Sequence, residues 1–176
     1  MNDIEVKDNF LPENEFKTLR DNFFNPLFPW YLNQIIPDEY SSDLLVDKID
    51  NYQLCHHFYY PVANGPPHVC QGMDCLNPIL KRLDIISLAR VKANLLPRMS
   101  SIIKHGFHVD YEHSTIRDFK ASIFYINTNN GYTEFEDGTK IESIGNRLVT
   151  FPIHLRHTGT TCTNQSVRIV INFNYF

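Results

Sequence analysis

Between Lys104 and Ser114 the chain reads KHGFHVDYEHS, three histidines and two carboxylates in eleven residues. Side chains two apart in an extended segment point the same way. His108 and Asp110 of HVD therefore face one side, with Val109 opposite. An imidazole and a carboxylate aimed at one point suit a borderline divalent metal such as iron(II), manganese or zinc. H-x-D alone is a weak signal, because an ordinary polar strand face presents the same pattern. His105, three before His108, falls on the opposite side of such a strand, in a surface or supporting role. His113 lies just beyond the strand, placed to line a mouth.

The end of the chain, FPIHLRHTGTTCTNQSVRIVINFNYF, adds two histidines and a strand of unusual patterning. If IHLRH is extended, His154 and His157 point to opposite faces and cannot both reach one metal. A helical turn would align them, but Pro152 and the β-branched Thr158, Thr160 and Thr161 disfavour one. On the last strand Val167, Ile169, Ile171, Phe173 and Tyr175 share one face; Arg168, Val170, Asn172 and Asn174 share the other. The apolar face must be buried. If the polar face is enclosed too, Arg168 needs an anionic partner, because an unpaired buried charge is costly. If the strand is half-exposed, Arg168 sits in solvent. The strand alone leaves both readings open.

The elements that would position these residues divide the chain in two. DNFLPENEFKTLRDNFF reads as a helix from about Pro12 to Phe24, with Glu13 and Glu15 in its first turn and Phe16, Leu19, Phe23 and Phe24 as an apolar stripe. From Pro26 to Pro67 the composition predicts irregular chain. NPILKRLDIISL reads as a second helix, capped by Asn77, with Ile79, Leu80, Leu83 and Ile86 on one face. After Leu88, short alternating or β-branched runs dominate: ARVKANLLP, IIKHGFHVD, FKASIFYIN, YTEF, TKIES, NRLVTF and SVRIVINFNYF. Asp137-Gly138 suits a tight hairpin turn. Helices followed by many strands predict helices packed outside a β barrel or sandwich.

A chain of 176 residues fits a single domain, 1–176, with 1–88 as helical and irregular support and 89–176 as the β core. The formal charge of -4 argues against bulk attraction to nucleic acid. No apolar run approaches a membrane span, and the opening MNDIEVKDNF has no signal-peptide pattern, so a cytoplasmic setting is expected. The cysteines Cys55, Cys70, Cys75 and Cys162 are then reduced thiols. With His56, His57 and His68 some of them could be imagined on zinc, but no familiar paired spacing is present.

The ordered set HVD, FYIN, TEFEDG, HTGTTCT and VRIVINF resembles the iron(II)- and 2-oxoglutarate-dependent dioxygenases. The likeness is to their prolyl-hydroxylase-like branch, including small members carried by phages of marine bacteria, whose setting would be the host cytoplasm. It is specific over Arg90 to Phe176 and weaker before, where DNFLPENEF and FPWYL look like the supporting region. The resemblance implies a mainly β fold with flanking helices, a double-stranded β-helix of the jelly-roll or cupin kind. It implies His108, Asp110 and His157 as a facial triad on Fe(II), leaving positions open for 2-oxoglutarate and O2. His157 lies eleven residues before Arg168, nearer the family spacing than His154. Arg168 would hold the far carboxylate of 2-oxoglutarate, and Tyr125 matches a tyrosine that donates to the same carboxylate. Leu96 stands where some relatives carry a co-substrate-contacting tyrosine; Asn94, on the same face, could replace that contact through its amide. Tyr132 stands where many relatives have glycine, so the rim differs. The implied activity is hydroxylation of an unactivated C–H bond of a prolyl or other peptide residue, with release of succinate and carbon dioxide. Two competing readings are a cupin-like metal enzyme that does not use 2-oxoglutarate and a non-catalytic barrel. Arg168 with Tyr125 weighs against the first, and the complete ligand set against the second.

Overall fold

The computed structural model describes residues 4–34, 52–111 and 118–176. In chain order, β1 is Glu5–Lys7, α1 Glu13–Phe23, β2 Tyr31–Gln34, β3 Tyr52–Tyr60 and β4 His68–Val69. A 3-10 helix, Gln71–Leu76, runs into α2, Asn77–Leu80, and then β5, Leu88–Pro97. The remaining strands are β6 Lys120–Tyr125, β7 Tyr132–Phe135, β8 Lys140–Glu142, β9 Arg147–Pro152, β10 His157–Gly159 and β11 Val167–Tyr175. A large sheet has the order β1-β9-β6-β11-β5-β3-β2, with β4 paired to β3. A small sheet has the order β10-β7-β8. All the strand pairings are antiparallel. The architecture is the double-stranded β-helix that the resemblance implies.

β11 lies between β5 and β6, which explains its sequence. Its apolar face (Ile169, Ile171, Phe173 and Tyr175) packs outward on Phe16, Leu19 and Phe23 of α1, beside Leu76 and Ile79. Its other face looks into the barrel, where Val170 joins Ile123, Tyr125, Val149 and Phe151 against Phe135 and Ile141 of the small sheet. A strand covered on both sides can carry polar residues only where they find partners. α1 follows the predicted stripe except for Phe24, which is exposed. The β7–β8 hairpin closes as expected at Asp137-Gly138, with Gly138 in the left-handed region (φ 88°) that favours glycine.

Three expectations need correction. The stretch Pro26–Pro67 is not irregular throughout: it contains β2 and the nine-residue β3, which pairs with β5 inside the large sheet. The aromatic and histidine side chains of YQLCHHFYY obscure its alternation, which a bulge between His57 and Tyr59 interrupts. The second helix is one short turn, and Asn77 does not cap it; Leu76 holds that position without a side-chain bond. Ile79 is buried, but Ile86 is 89% exposed, because the amides of Ile86 and Ser87 bind the carbonyl of Phe176 and draw the chain into β5. Lastly, IIKHGFHVD is not a regular strand. It touches its neighbour at two isolated bridges, Lys104 to Thr160 and His108 to His157.

Candidate metal centre

The two bridges define the site's local geometry. From Lys104 to His108 is four steps, and from Thr160 to His157 three, so the first segment carries one extra residue. Such a bulge resets the facing of side chains. His108 and His157 exchange both backbone hydrogen bonds, 3.0 and 2.9 Å, so they stand directly opposite each other with ring centroids 4.8 Å apart. The chain bends at Asp110, whose Oδ1 lies 3.9 Å from Nε2 of His108. The ligand atoms of His108, Asp110 and His157 all lie within 4.8 Å of one another. Among the described residues this is the one group of three or more such side chains so placed. The imagined zinc cluster does not assemble: His56 packs among Phe28, Tyr31 and Phe58, with Nε2 3.2 Å from Cys70 Sγ. Cys55 is buried within β3, not in a loop.

The donor chemistry fits a divalent ion. Each histidine turns Nδ1 to a carbonyl, His108 to Gly106 at 3.3 Å and His157 to Leu155 at 3.1 Å, which leaves Nε2 for the centre. His157 is buried, and burial pushes its pKa down, keeping it neutral as a ligand requires. Asp110, with a side chain 5% exposed, accepts from Nη2 of Arg90 at 2.8 Å and Nδ2 of Asn174 at 2.7 Å. Burial opposes its ionisation, but Arg90, the two histidines and Asn174 outweigh that and hold the carboxyl down at about 2. Each oxygen keeps a lone pair for a metal. Arg90 also donates to Asn174 Oδ1 at 2.9 Å, completing a frame behind Asp110. Sequence reading missed Arg90 and Asn174 in this role. The signal for Asn174 was its place on the polar face of an otherwise apolar strand.

Arg168 is buried, 2% exposed, so its strand is not the half-exposed one. It donates to Ser143 Oγ at 2.7 Å and Thr133 Oγ1 at 3.2 Å, and its guanidinium lies 5.7 Å from the ring centre of Tyr125. Tyr125, fully buried, donates to Thr133 Oγ1 at 2.8 Å. No described carboxylate pairs with Arg168, and burial pushes its pKa down from its ordinary value. A guanidinium enclosed by hydroxyls, with no counter-charge among the described residues, has its full charge left for an anion. Gly131 makes room for it: a Cβ there would lie 2.7 Å from Arg168 Cδ and 2.7 Å from the carbonyl of Thr161.

Asn94 and Asn172 face the interior, each with a buried Oδ1 that has no hydrogen-bond partner among the described residues. Leu96 pairs with Arg168 and is buried. The half-buried Tyr132 carries the ammonium of Lys140 over its ring at 4.9 Å. The expected position of His105 on the far side is wrong. The bulge brings it inward, and burial, with Arg168 and His108 nearby, lowers its pKa to about 4. His154 is exposed, in the turn after β9. His113 falls outside the described residues.

No protein-family model matches the chain, and no curated protein does. Solved structures do. A prolyl hydroxylase of Trichoplax adhaerens, in complex with a peptide fragment of the hypoxia inducible factor oxygen degradation domain, matches with a TM-score of 0.61 at 15% identity, over 100% of this chain and 84% of that one. A 2OG-Fe(II) oxygenase family oxidoreductase of Burkholderia pseudomallei matches at 0.65 and 11% identity, over 98% and 84%. A Pseudomonas putida prolyl-4-hydroxylase matches at 0.58 and 14%, over 99% and 93%. At these identities the likeness is one of fold, and the fold is that of the 2-oxoglutarate- and iron-dependent oxygenases.

Proposed function

We propose that this chain is an Fe(II)- and 2-oxoglutarate-dependent dioxygenase that hydroxylates an unactivated C–H bond of a prolyl or other peptide residue. The observation that carries the reading is the pairing of two features in one barrel. One is the His108, Asp110 and His157 cluster; the other is the buried Arg168 without a described counter-charge. A cupin-like enzyme that does not use 2-oxoglutarate has no need of such an enclosed guanidinium.

His108 and His157 would bind the metal through Nε2, with the carbonyls of Gly106 and Leu155 fixing the ring orientations. Asp110 would supply the anionic ligand, held in place by Arg90 and Asn174. Arg168 would receive the far carboxylate of 2-oxoglutarate, with Tyr125, Thr133 and Ser143 around it. Asn94, whose buried Oδ1 has no partner among the described residues, would give an amide hydrogen bond to the co-substrate. Ile123, Val149, Phe151 and Phe135 keep this end of the barrel dry, which strengthens the charged contacts. When bound, Fe(II), 2-oxoglutarate and O2 supply the oxidising chemistry, in which 2-oxoglutarate leaves as succinate and carbon dioxide and oxygen enters the C–H bond. No side-chain acid or base is needed.

The test is anaerobic loading with iron(II), then aerobic assay of succinate release against a peptide panel led by proline peptides. Stoichiometric succinate and a peptide mass gain of one oxygen are expected. Iron-loaded protein that neither binds nor consumes 2-oxoglutarate would overturn the reading.

A further inference from the structure

The inner face of the large sheet is ordered in rows by its register. Asn172 lies opposite Lys92, and Lys92 opposite His57 on β3. One row along, Asn174 lies opposite Arg90. Residues directly opposite share a face, so His57, Lys92 and Asn172 sit beside the Arg90, Asn174 and Asp110 frame. Among the described residues the charges in this row do not cancel. Arg90 is committed to Asp110 and Asn174. The half-buried Lys92 makes no ion pair or hydrogen bond with a described residue. Burial pushes its pKa down from 10.5, and among the described residues the charge of Arg90 adds to that while that of Asp110 opposes it. Beside it, the buried Nδ1 of His57 and Oδ1 of Asn172 have no hydrogen-bond partner among the described residues. Burial, then Lys92 and Arg90, push the His57 pKa down from 6.5, so at neutral pH it is an uncharged hydrogen-bonding group.

We propose, resting on the oxygenase reading above, that Lys92 with His57 receives a carboxylate of the primary substrate, so that the enzyme acts on a residue or small molecule bearing a carboxylate near the oxidised carbon. A partly desolvated ammonium without a counter-ion is costly unless an anion completes it. Among the described residues the row holds one cation without a bonded counter-charge, beside a neutral imidazole, which matches a singly charged carboxylate better than a phosphate dianion. The row adjoins the Asp110 frame, on the face that also carries Arg168, so a substrate anchored there lies beside the metal while Arg168 keeps the co-substrate.

Two experiments decide this. In the first, acetate, acetamide and inorganic phosphate are titrated into metal-free protein while the ring signals of His57 are followed by NMR. Acetate is expected to shift them saturably, acetamide not, and Lys92→Met to abolish the shift. No acetate response, an equal response to acetamide, or a tighter response to phosphate overturns the proposal. The second uses iron-loaded enzyme and blocked tripeptides paired as Glu against Gln or Asp against Asn. The acidic member of a productive pair is expected to have at least about tenfold higher kcat/KM, a difference of about 1.4 kcal/mol. Lys92→Met should remove that preference through the peptide KM, and Lys92→Glu should reverse it. If Lys92→Met weakens 2-oxoglutarate instead, Lys92 belongs to the co-substrate and the proposal falls. Absence of any 2-oxoglutarate turnover refutes the oxygenase reading alone, because the titration still reports on the anion site.

Discussion

Asp110 is the most constrained residue of the candidate centre, since its two oxygens already accept from Arg90 and Asn174. Asp110→Ala removes a metal ligand and leaves the Arg90 charge without its partner. Iron content and succinate formation should both be lost; wild-type values for both would refute the ligand set. Arg168→Ala removes a charge rather than a ligand, so it should spare iron and weaken 2-oxoglutarate. Breaking a buried charge pair costs roughly 3–5 kcal/mol, on the order of a hundredfold to a few thousandfold in affinity. A change below about threefold would match an exposed pair, ~0.6 kcal/mol, and remove Arg168 as the anchor. His154 and His157 are best tested side by side. His157→Ala should lose iron, and the exposed His154→Ala should keep it. The reverse outcome would shift the register drawn from Arg168.

At the scale of elements, the site depends on how tightly strands and turns approach one another. Gly131 sits where Arg168 Cδ and the Thr161 carbonyl leave no room for a methyl group. Gly131→Ala should destabilise the fold by about 1–3 kcal/mol, the usual range for overpacking. It should also weaken 2-oxoglutarate more than iron, because Arg168 is what it displaces. Unchanged co-substrate affinity, with a lowered urea midpoint, would confine Gly131 to packing. Outside the barrel, Phe23 of α1 packs on Phe28 and Phe58 with centroids 4.9 and 6.1 Å away. Phe23→Ala should lower stability by about 3–5 kcal/mol. Because that face of the sheet is opposite the metal, the variant that remains folded should still take up iron.

For the whole molecule, the buried ionisable groups set the acid response of the metal-free protein. His105 has its pKa lowered from 6.5 to about 4, so between these values the unfolded chain takes up a proton that the folded one refuses. Stability therefore falls as pH drops from about 6.5 to about 4. Asp110, lowered from 3.8 to about 2, contributes stability present above 3.8 and lost as pH falls through 2. Urea midpoints measured from pH 7.5 downward should thus fall in two successive steps, and His105→Gln should shrink the first, to which the buried His157 and His57, also lowered from 6.5, contribute the remainder. A flat profile from pH 6.5 to 4 would put His105 in solvent.

The chain's own order of residues was enough to show the β class of the C-terminal half, the two faces of β11 with Arg168 on the polar one, the stripe of α1 and the shared side of His108 and Asp110, whereas His157, Tyr125 and Asn94 became candidates only through the family resemblance. The former are local patterns, because alternation and spacing are written along one strand. The route of Tyr52–Tyr60 into the large sheet was not legible, nor was the bulge that turns His105 inward, nor the early end of α2. Each depends on which distant backbone supplies hydrogen bonds: β5 for β3, Gly159 and Thr160 for the bulge, Phe176 for Ile86 and Ser87. The frame of Arg90, Asn174 and Asp110 and the row of His57, Lys92 and Asn172 have the same origin. Their members are up to 115 positions apart, His57 to Asn172. Only the register of three strands, set by backbone pairing and by burial of the opposite face, brings them together.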